Sequence, residues 1–486
     1  MSDNISRRRL LSGAAAGALT VVGTGHVAGQ SASTPTPEDG ADGESRTLTI
    51  ETDATVQYEL VSGSPGDTAT ASGYVGSGTA SVTFSGELRR FAAVGLEGEA
   101  DPTIRLDGEE VDPRDVVETH TIVLQNDAES VSRSEYSLAV EADLNGSSAV
   151  GAAVNEGDAI DGNAVEGVVS GGRDAYTYAG GLVRFTGLDT TVYVDGKRRD
   201  PADLVDRHTI TVVSSDDSYR RYELAVESGL EKSDALGASL NGDDTVDGTE
   251  ASGAVTGGRD SYTYSGGLER FHGENVTVYV DGRVRDPFEF VETHTLTVES
   301  PDEGPIEVPE ETIVIGPRYE YHSYELSVES DLEKSDALGA SLNGDDTVDG
   351  TEASGAVSGG RDSYTYSGSL ERFAAENVEL LIDGRTRDAR NLVDTHTLTV
   401  EPDRIGDFSV DYTLSVDADL QRDDALGATI DEDDVVDGTT ATGTVTADRD
   451  SYTYTGSEVD VVFDGYGLPV ALDGQFRPEL TDIRAV

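Results

Sequence analysis

The stretch LEKSDALGASLNGDDTVDGTEASGAV at Leu230–Val255 is repeated letter for letter at Leu332–Val357. One residue later both copies continue with GGRDSYTYSG. The landmark RDSYTY, or a variant of it, occurs at Arg173–Tyr178, Arg259–Tyr264, Arg361–Tyr366 and Arg449–Tyr454. A degenerate copy lies at Tyr74–Phe91. Self-similarity at a nearly fixed spacing is the signature of a repeat protein, in which one small structural unit is used several times.

Within each repeat the apolar residues alternate with polar ones. The runs HTLTVE, YELSVES, DSYTYSG and VTVYVDGR are alternating or β-branched, and clusters of Gly and Asp separate them. This pattern is typical of short strands joined by turns, and Asp-Gly supplies the positive φ that a tight hairpin requires. The sequence therefore predicts an all-β fold, a tandem array of about five small antiparallel β-sandwich modules.

The two ends of the repeat region set the module boundaries. RTLTIETD after the N-terminal segment parallels HTLTVE, and VALDGQFRP near the C-terminus parallels VYVDGRVRDP. A unit that begins at HTLTV and ends after VDG therefore fits five times. The predicted boundaries are 46–118 for a degenerate module one, 119–206 for module two, 207–292 for module three, 293–394 for module four with an insert at 301–318, and 395–486 for module five.

The first thirty residues read as an export signal. SRRRLLSGAAAGALTVV begins with arginines and continues with an apolar run, Leu10 to Val22, that is too short to span a bilayer. The Arg7–Arg8 pair resembles a twin-arginine export signal. Residues 31–45, rich in Ser, Thr, Pro and acids, form a linker. We expect a secreted or cell-surface protein without a transmembrane segment.

The charge is strongly acidic. There are 95 Asp and Glu residues against 34 Lys and Arg, and the net charge is −61. A folded chain with this surface repels itself in dilute buffer and tolerates high salt, which indicates a halophilic protein. The same charge makes nucleic acid and anionic membranes poor partners. With no cysteine, the chain has neither a disulfide nor a thiolate metal site.

Several of these motifs point to one protein family. The run YELSVESDLEKSDALGASLNGDDTVDGTEASGAVSGG, followed by VDG, resembles the acidic Asp/Gly/Thr-rich repeat modules of secreted, twin-arginine-exported haloarchaeal proteins. In those proteins the modules accompany polysaccharide-active or β-helical domains. The resemblance covers nearly all of the exported chain and implies a haloarchaeal, extracellular protein, without naming an activity.

The acidic turn has two interpretations. On a 12-residue calcium loop, Asn241, Asp243 and Glu250 fall at ligand positions, and so do their copies Asn343, Asp345 and Glu352. However, position one is Ser239, and position six is Asp244 where the loop requires Gly. The alternative is a solvated acidic turn, which we favour, and no other cofactor is expected.

Three aromatic positions, one histidine and two tyrosines, recur in every complete repeat. His120, His208, His294 and His396 each open a module, and we interpret them as residues of the junctions between modules. Tyr262 and Tyr264, like Tyr364 and Tyr366, lie two apart on a strand and share a face. If that face points inward they are core residues, and if it points outward they form a stacking platform for sugar rings. Asn145 and Asn275 begin glycosylation sequons.

No catalytic constellation stands out. The chain lacks a G-x-S-x-G elbow, and acids are so frequent that paired carboxylates carry no information. We expect an exported, non-enzymatic halophilic repeat protein that acts as a cell-surface or extracellular spacer, adhesion or binding module. The alternative is a carbohydrate-binding accessory protein of a polysaccharide-degrading system. The expected partners are the cell envelope or extracellular polysaccharide, and the sequence specifies no oligomeric state.

Overall fold

The structure is a computed structural model. It describes residues 20–23 and 45–484, except 65, 97–99, 127–132, 155–156, 240–241, 243, 301–320, 342–343, 345, 402–408, 430–433, 447 and 465–466. In these ranges the regular structure consists of β-strands and three-residue 3₁₀ turns, with no α-helix. The predicted all-β fold is confirmed. The export-signal residues Arg7 and Arg8 and the insert at 301–318 lie outside the described residues.

Module one packs two antiparallel sheets face to face. Its strands are β2 (Ser45–Thr52), β3 (Val56–Ser64), β4 (Asp67–Val75), β5 (Gly78–Ser85), β6 (Glu87–Gly95), β7 (Thr103–Leu106) and β8 (Glu109–Glu110). Strand β1 (Thr20–Gly23), from the segment interpreted as an export signal, pairs with β5. One sheet has the order β1-β5-β2-β7-β8 and the other β4-β3-β6. Leu48 and Phe84 of the first sheet share one core with Leu60 and Phe91 of the second.

Modules two to five share one topology of seven strands. Module two contains β9 (His120–Asn126), β10 (Ser134–Gly146), β11 (Ala159–Asp161), β12 (Ala164–Val169), β13 (Arg173–Gly187), β14 (Thr190–Val194) and β15 (Lys197–Arg199). Module three contains β16 (His208–Val213), β17 (Arg220–Ser233), β18 (Thr245–Asp247), β19 (Glu250–Val255), β20 (Arg259–Gly273), β21 (Thr277–Val280) and β22 (Arg283–Arg285).

The last two modules repeat this order. Module four contains β23 (Thr293–Glu299), β24 (His322–Ser335), β25 (Thr347–Asp349), β26 (Glu352–Val357), β27 (Arg361–Ala375), β28 (Glu379–Ile382) and β29 (Arg385–Thr386). Module five contains β30 (His396–Val400), β31 (Val410–Asp423), β32 (Val435–Asp437), β33 (Thr440–Val445), β34 (Asp450–Asp464), β35 (Val470–Leu472), β36 (Gln475–Phe476) and β37 (Thr481–Arg484), the last of which pairs parallel to β34.

In module three the hydrogen-bonded order is β18-β19-β17-β20-β16-β21-β22. The long central strands β17 and β20 lose register three times between Ala225 and Glu231. Such bulges bend a strand and increase its twist. The two halves of the sheet therefore close on each other, and Ala251 of β19 shares one core with Ile210 of β16 and Val278 of β21.

The modules contain two kinds of 3₁₀ turn, of which the first occurs in modules two to five and the second in all five. The first follows the second strand of a module at Ala149–Gly151, Ala235–Gly237, Ala337–Gly339 and Ala425–Gly427. The second follows the last hairpin of every module at Pro113–Asp115, Pro201–Asp203, Pro287–Glu289, Ala389–Asn391 and Pro478–Leu480. The hairpin before it turns at Asp-Gly as the sequence predicts, and in module three Asp281 and Gly282 have φ values of +47° and +82°.

Candidate functional site

The paired tyrosines of RDSYTY lie inside the sandwich. Tyr262 and Tyr264 are 1% and 3% exposed, and Tyr364 and Tyr366 are 1% and 0% exposed. They belong to the strand at the middle of each sheet, and their shared face points into the core. The sugar-stacking platform is therefore wrong for these four residues, because a ring without exposed surface cannot stack on a ligand.

One ring of each pair enters a buried polar cluster. In module three the hydroxyl oxygen of Tyr222 lies 2.7 Å from that of Tyr262, 3.0 Å from Oδ2 of Asp260 and 3.2 Å from Oδ1 of Asp244. A phenol has one hydrogen to donate. If Tyr262 donates its hydrogen to Tyr222, Tyr222 can donate its own hydrogen to only one of the two carboxylates. The contact between Tyr222 and the other carboxyl group is satisfied when that group carries a proton and donates it. We call this group the tyrosine–carboxylate cluster.

The cluster recurs in modules two, four and five. The two hydroxyl oxygens lie 2.6–2.7 Å apart in the pairs Tyr136–Tyr176, Tyr324–Tyr364 and Tyr412–Tyr452. The carboxylate of the RD motif lies 2.9–3.0 Å from the first hydroxyl at Asp174, Asp362 and Asp450. Module one instead has Ala80, Val82 and Phe84 at the strand positions of Asp260, Tyr262 and Tyr264. Its core closes without the polar cluster.

Burial controls the protonation of this cluster. It raises the pKa of Asp260 to about 6, and the neighbouring charge of Asp244 adds to the shift. Asp174 in module two also has its pKa raised to about 6, by burial first and then by Asp158. Burial likewise raises the pKa values of Tyr222 and Tyr262. The cluster therefore holds a proton more tightly than free carboxylates do.

The acidic turn is not wholly solvated, which corrects the favoured interpretation. Asp247 is exposed as expected, but Asp244 and its copy Asp346 are 5% and 6% exposed. The reason is Gly253 opposite Tyr222, because a side chain there would come within 2.2 Å of the Asp244 carboxylate and 2.5 Å of the Tyr222 hydroxyl. The missing side chain makes room for the buried carboxylate.

The calcium candidates are not brought together as a described site. Asn241, Asp243, Asn343 and Asp345 lie outside the described residues. Glu250 is exposed and lies 3.6 Å from the Arg270 guanidinium, and Glu352 is exposed as well. Within the described ranges, no group of three or more His, Asp or Glu side chains is arranged to hold a metal ion.

The four histidines make their hydrogen bond inside their own module. In module three, Nδ1 of His208 lies 2.7 Å from Oδ2 of Asp281, and the Thr209 backbone N–H donates to Oδ1 of the same carboxylate over 2.7 Å. The same pair recurs, at 2.7–2.9 Å, in His120–Asp195, His294–Asp383 and His396–Asp473. This bond ties the first strand to the hairpin of the same module. His294 also has the predicted junction contact, because its ring packs against that of Phe288 in module three with the centroids 4.7 Å apart.

Arginines form ion pairs between consecutive modules. The aspartate that caps each 3₁₀ turn after a hairpin accepts a backbone N–H of its own turn and also pairs with an arginine of the next module. These pairs are Asp112–Arg199, Asp200–Arg285, Asp286–Arg387 and Asp388–Arg477. The distance is 2.5 Å for Arg387 and 3.1 Å for Arg477. Every junction thus uses the same bifunctional carboxylate.

A second set of contacts reinforces each junction. The arginine of the RD motif reaches back to the preceding module, from Arg259 to Glu135 over 2.9 Å and from Arg361 to Glu274 over 2.5 Å. The Asp-Gly hairpin also presses on that module, and a Cβ on Gly384 would lie 2.0 Å from the Gly273 carbonyl oxygen. The junction geometry therefore requires glycine at this position.

A cleft of about 760 Å³ opens in module five, beside the junction with module four. Its polar lining includes Arg390, His396, Asp417, Tyr454, Glu458 and Asp460. None of the predicted site residues marks this cleft. The signal in the sequence that could have located it is the SEVDVVF stretch, which replaces the LERF motif of modules three and four.

Both glycosylation sequons are accessible. The side chains of Asn145 and Asn275 are exposed. The Asn145 amide donates to the Asp143 carbonyl over 2.8 Å, and Asn275 lies next to the junction of modules three and four, where its backbone N–H faces the Gly384 carbonyl at 3.5 Å. Modification of either residue stays a prediction.

The chain matches no protein-family model, no curated protein and no solved structure. Among the described residues, no helix has the length and apolar character needed to cross a membrane. Inferences about function therefore rest on the geometry of the modules and their junctions.

Proposed function

We propose that this chain is an exported, non-enzymatic halophilic protein that acts as a spacer or adhesion module at the cell surface or outside the cell. The twin-arginine-like pair Arg7–Arg8 and the net charge of −61 support export and a high-salt environment. The resemblance to haloarchaeal secreted repeats supports the same location.

The repeated junction is the observation that carries the spacer role. Four junctions use the same carboxylate, which caps a turn in one module and binds an arginine of the next. An exposed ion pair contributes only ~0–1 kcal/mol. Here the arginine and carboxylate side chains are 14–34% exposed, and each is accompanied by a hairpin that packs against the preceding module. Such a junction restricts the relative orientation of neighbours, as a spacer of defined length requires.

Small-angle X-ray scattering of the whole chain in molar NaCl tests this role. The double substitution D286A/R387A removes the junction pair between modules three and four. We expect it to broaden the distribution of interatomic distances and to shorten the mean dimension, because one junction becomes a hinge. The matched control R105A removes an arginine that pairs with Glu110 inside module one, and it should leave the scattering unchanged. Identical scattering from D286A/R387A and the unmodified protein would contradict the spacer proposal.

The location is tested by fractionating cells that express the whole chain. The double substitution R7K/R8K keeps the charge of the N-terminal segment and removes the twin arginines. We expect the unmodified protein in the envelope or the medium and the double variant inside the cell. Equal export of both would rule out the twin-arginine route.

The cleft in module five favours a second candidate, a carbohydrate-binding accessory protein. It is tested by retention of the whole chain on insoluble polysaccharide particles in molar NaCl. Retention above that of an acidic non-binding protein would support carbohydrate binding. If the chain is retained on no polysaccharide, the spacer role is the remaining candidate function.

A further inference from the structure

The cleft exists because module five departs from its neighbours at one cross-strand pair. In modules two to four a valine faces a buried leucine, in the pairs Val140–Leu182, Val226–Leu268 and Val328–Leu370. In module five Val416 faces Val459, which is only partly buried. The bulge that precedes this pair in modules two to four is also missing in module five. A shorter side chain on an unbulged strand leaves the volume unfilled.

The rim of the cleft has also changed its charge. The residue two positions after the buried leucine is an arginine in the other three modules, at Arg184, Arg270 and Arg372. Arg372 binds Glu325 of its own module and Asp423 of module five at 3.1–3.3 Å, and so spans their junction. At the corresponding pairing in module five, Asp460 faces Ser415. A carboxylate therefore borders the cleft where the other modules carry a guanidinium.

The polar groups of the cleft are held in fixed positions. The Asp417 carboxylate accepts the backbone N–H groups of Ser457 and Glu458 over 3.1 and 3.3 Å. Asp473 fixes the His396 ring through a 2.7 Å hydrogen bond, which raises the pKa of His396. Arg390 is fixed by a 2.8 Å hydrogen bond to Asp388. Groups held in this way lose little conformational freedom when a ligand binds.

We propose that this cleft binds a segment of a neutral polysaccharide. Neighbouring hydroxyl groups of a sugar can accept hydrogen bonds from Arg390 and donate to the carboxylate of Asp460. The apolar C–H face of the sugar ring can pack against Val459 and Leu480, which are only partly buried. This proposal specifies the second candidate function and is independent of the spacer role.

The charges of the lining favour a neutral ligand over an acidic one. Asp417, Glu458 and Asp460 repel a polyuronate, and Arg390 and His396 are each already paired with an aspartate. Hydrogen bonds and apolar contacts also persist in molar salt, where charge attraction is screened beyond ~3 Å. A ligand of this protein in brine is therefore best recognised by its hydroxyl groups and its ring face.

Isothermal titration calorimetry of the whole chain in molar NaCl tests the proposal. The probes are glucose hexasaccharides with α-1,4 and β-1,4 linkages, the β-1,4 hexamer of N-acetylglucosamine, and hexagalacturonate as an acidic comparison. We expect at least one neutral hexasaccharide to bind and hexagalacturonate not to bind. The absence of heat with all three neutral probes, or stronger binding of hexagalacturonate, would overturn the proposal.

The substitution V459L/D460R restores the residue types of modules two to four, so the sandwich should accept it. We expect it to weaken binding at least tenfold. The single substitution D460R changes only an exposed residue, and it replaces the double variant in the test if V459L/D460R has a lower melting temperature than the unmodified protein. The matched control D411N alters an exposed carboxylate of β31 outside the cleft and should bind as the unmodified protein does. Unchanged hexasaccharide binding by V459L/D460R or D460R would refute the cleft as the binding site. If these variants are still retained on polysaccharide particles, the carbohydrate-binding accessory role would stand with its site elsewhere on the chain.

Discussion

Replacing Asp281 by alanine should destabilise module three strongly. The Asp281 carboxylate is fully buried, and its two oxygens accept the Thr209 backbone N–H and face Nδ1 of His208, each over 2.7 Å. Leaving the Thr209 N–H unpaired costs ~1–3 kcal/mol. An alanine held at the φ of +47° costs a further ~1–2 kcal/mol. With the bond to His208 also lost, we expect a total of ~3–5 kcal/mol.

The matched variant is D281N. Asparagine tolerates positive φ and keeps an oxygen for the Thr209 N–H, so we expect it to lose less than half as much stability as alanine. Calorimetric melting of the whole chain in molar NaCl measures the loss. A cost of 3 kcal/mol in a module of this size corresponds to ~10 °C or more. Hydrogen exchange in β16, β21 and β22 assigns the loss to module three. Equal melting of D281A and D281N, or a loss in D281A below ~1 kcal/mol, would refute this reasoning.

The same pair predicts a pH dependence. The hydrogen bond with Asp281 raises the pKa of His208, and burial raises the pKa of Asp281, so the folded pair binds its proton more tightly than the separated groups do. Its stabilising effect is therefore fully present at low pH and is lost as the pH rises through the folded pKa of His208. D281A should cost more stability at pH 6 than at pH 9, and an equal cost at both would exclude this coupling.

Four further outcomes are expected. Thermal stability measured by circular dichroism should rise steeply between 0.1 M and 1 M NaCl, as the Debye length falls from ~10 to ~3 Å, and equal stability would contradict a halophilic surface. A fragment of residues 207–292 should fold cooperatively. A cut at residue 257 should give aggregating pieces, because it separates β19 from β20. Two soluble pieces that each unfold cooperatively would disprove the module boundaries. D247N should leave the melting temperature unchanged with or without EDTA. D244N should lower the melting temperature by the same amount with and without EDTA, because Asp244 is buried. A large decrease on adding EDTA that is abolished in D244N would instead indicate bound calcium. The pKa of Asp260 is about 6 in the folded protein against an ordinary 3.8, so its protonated form stabilises module three below pH ~4 and this effect is lost as the pH rises through 6. Hydrogen-exchange protection factors of module three should therefore fall between pH 5 and 7, and they should fall less in D260N. A rise in protection over this range would contradict the buried proton.

The sequence predicted the fold well because strand and turn signals are local. The alternation in YELSVES marks which side chains of β24 point inward, and Asp-Gly marks the hairpin whatever the rest of the chain does. The repeat added the same pattern several times over. The all-β sandwich could therefore be derived from the order of residues along the chain.

The roles of the polar residues could not be derived in the same way. Asp244 and Asp247 are three residues apart in the same acidic run, yet one is buried and the other is exposed. The difference comes from Tyr222 and Gly253, which a separate strand pairing brings opposite each other. The sequence shows where the carboxylates are along the chain, but it does not show which residues of other strands pack against each of them.

The repeat, its strands and turns, and the excess of negative charge follow from the residue order, because each depends on the identity and spacing of neighbouring residues. Only the folded structure shows that the histidines bind their own hairpins and that one aspartate per junction binds the next module. It also shows that one RDSYTY tyrosine per module joins a second tyrosine whose hydroxyl contacts buried carboxylates. Each of these contacts joins residues about 20 to 100 positions apart. Their hydrogen bonds exist only when the sheets have closed and water has been excluded, because burial is what makes a polar partner obligatory.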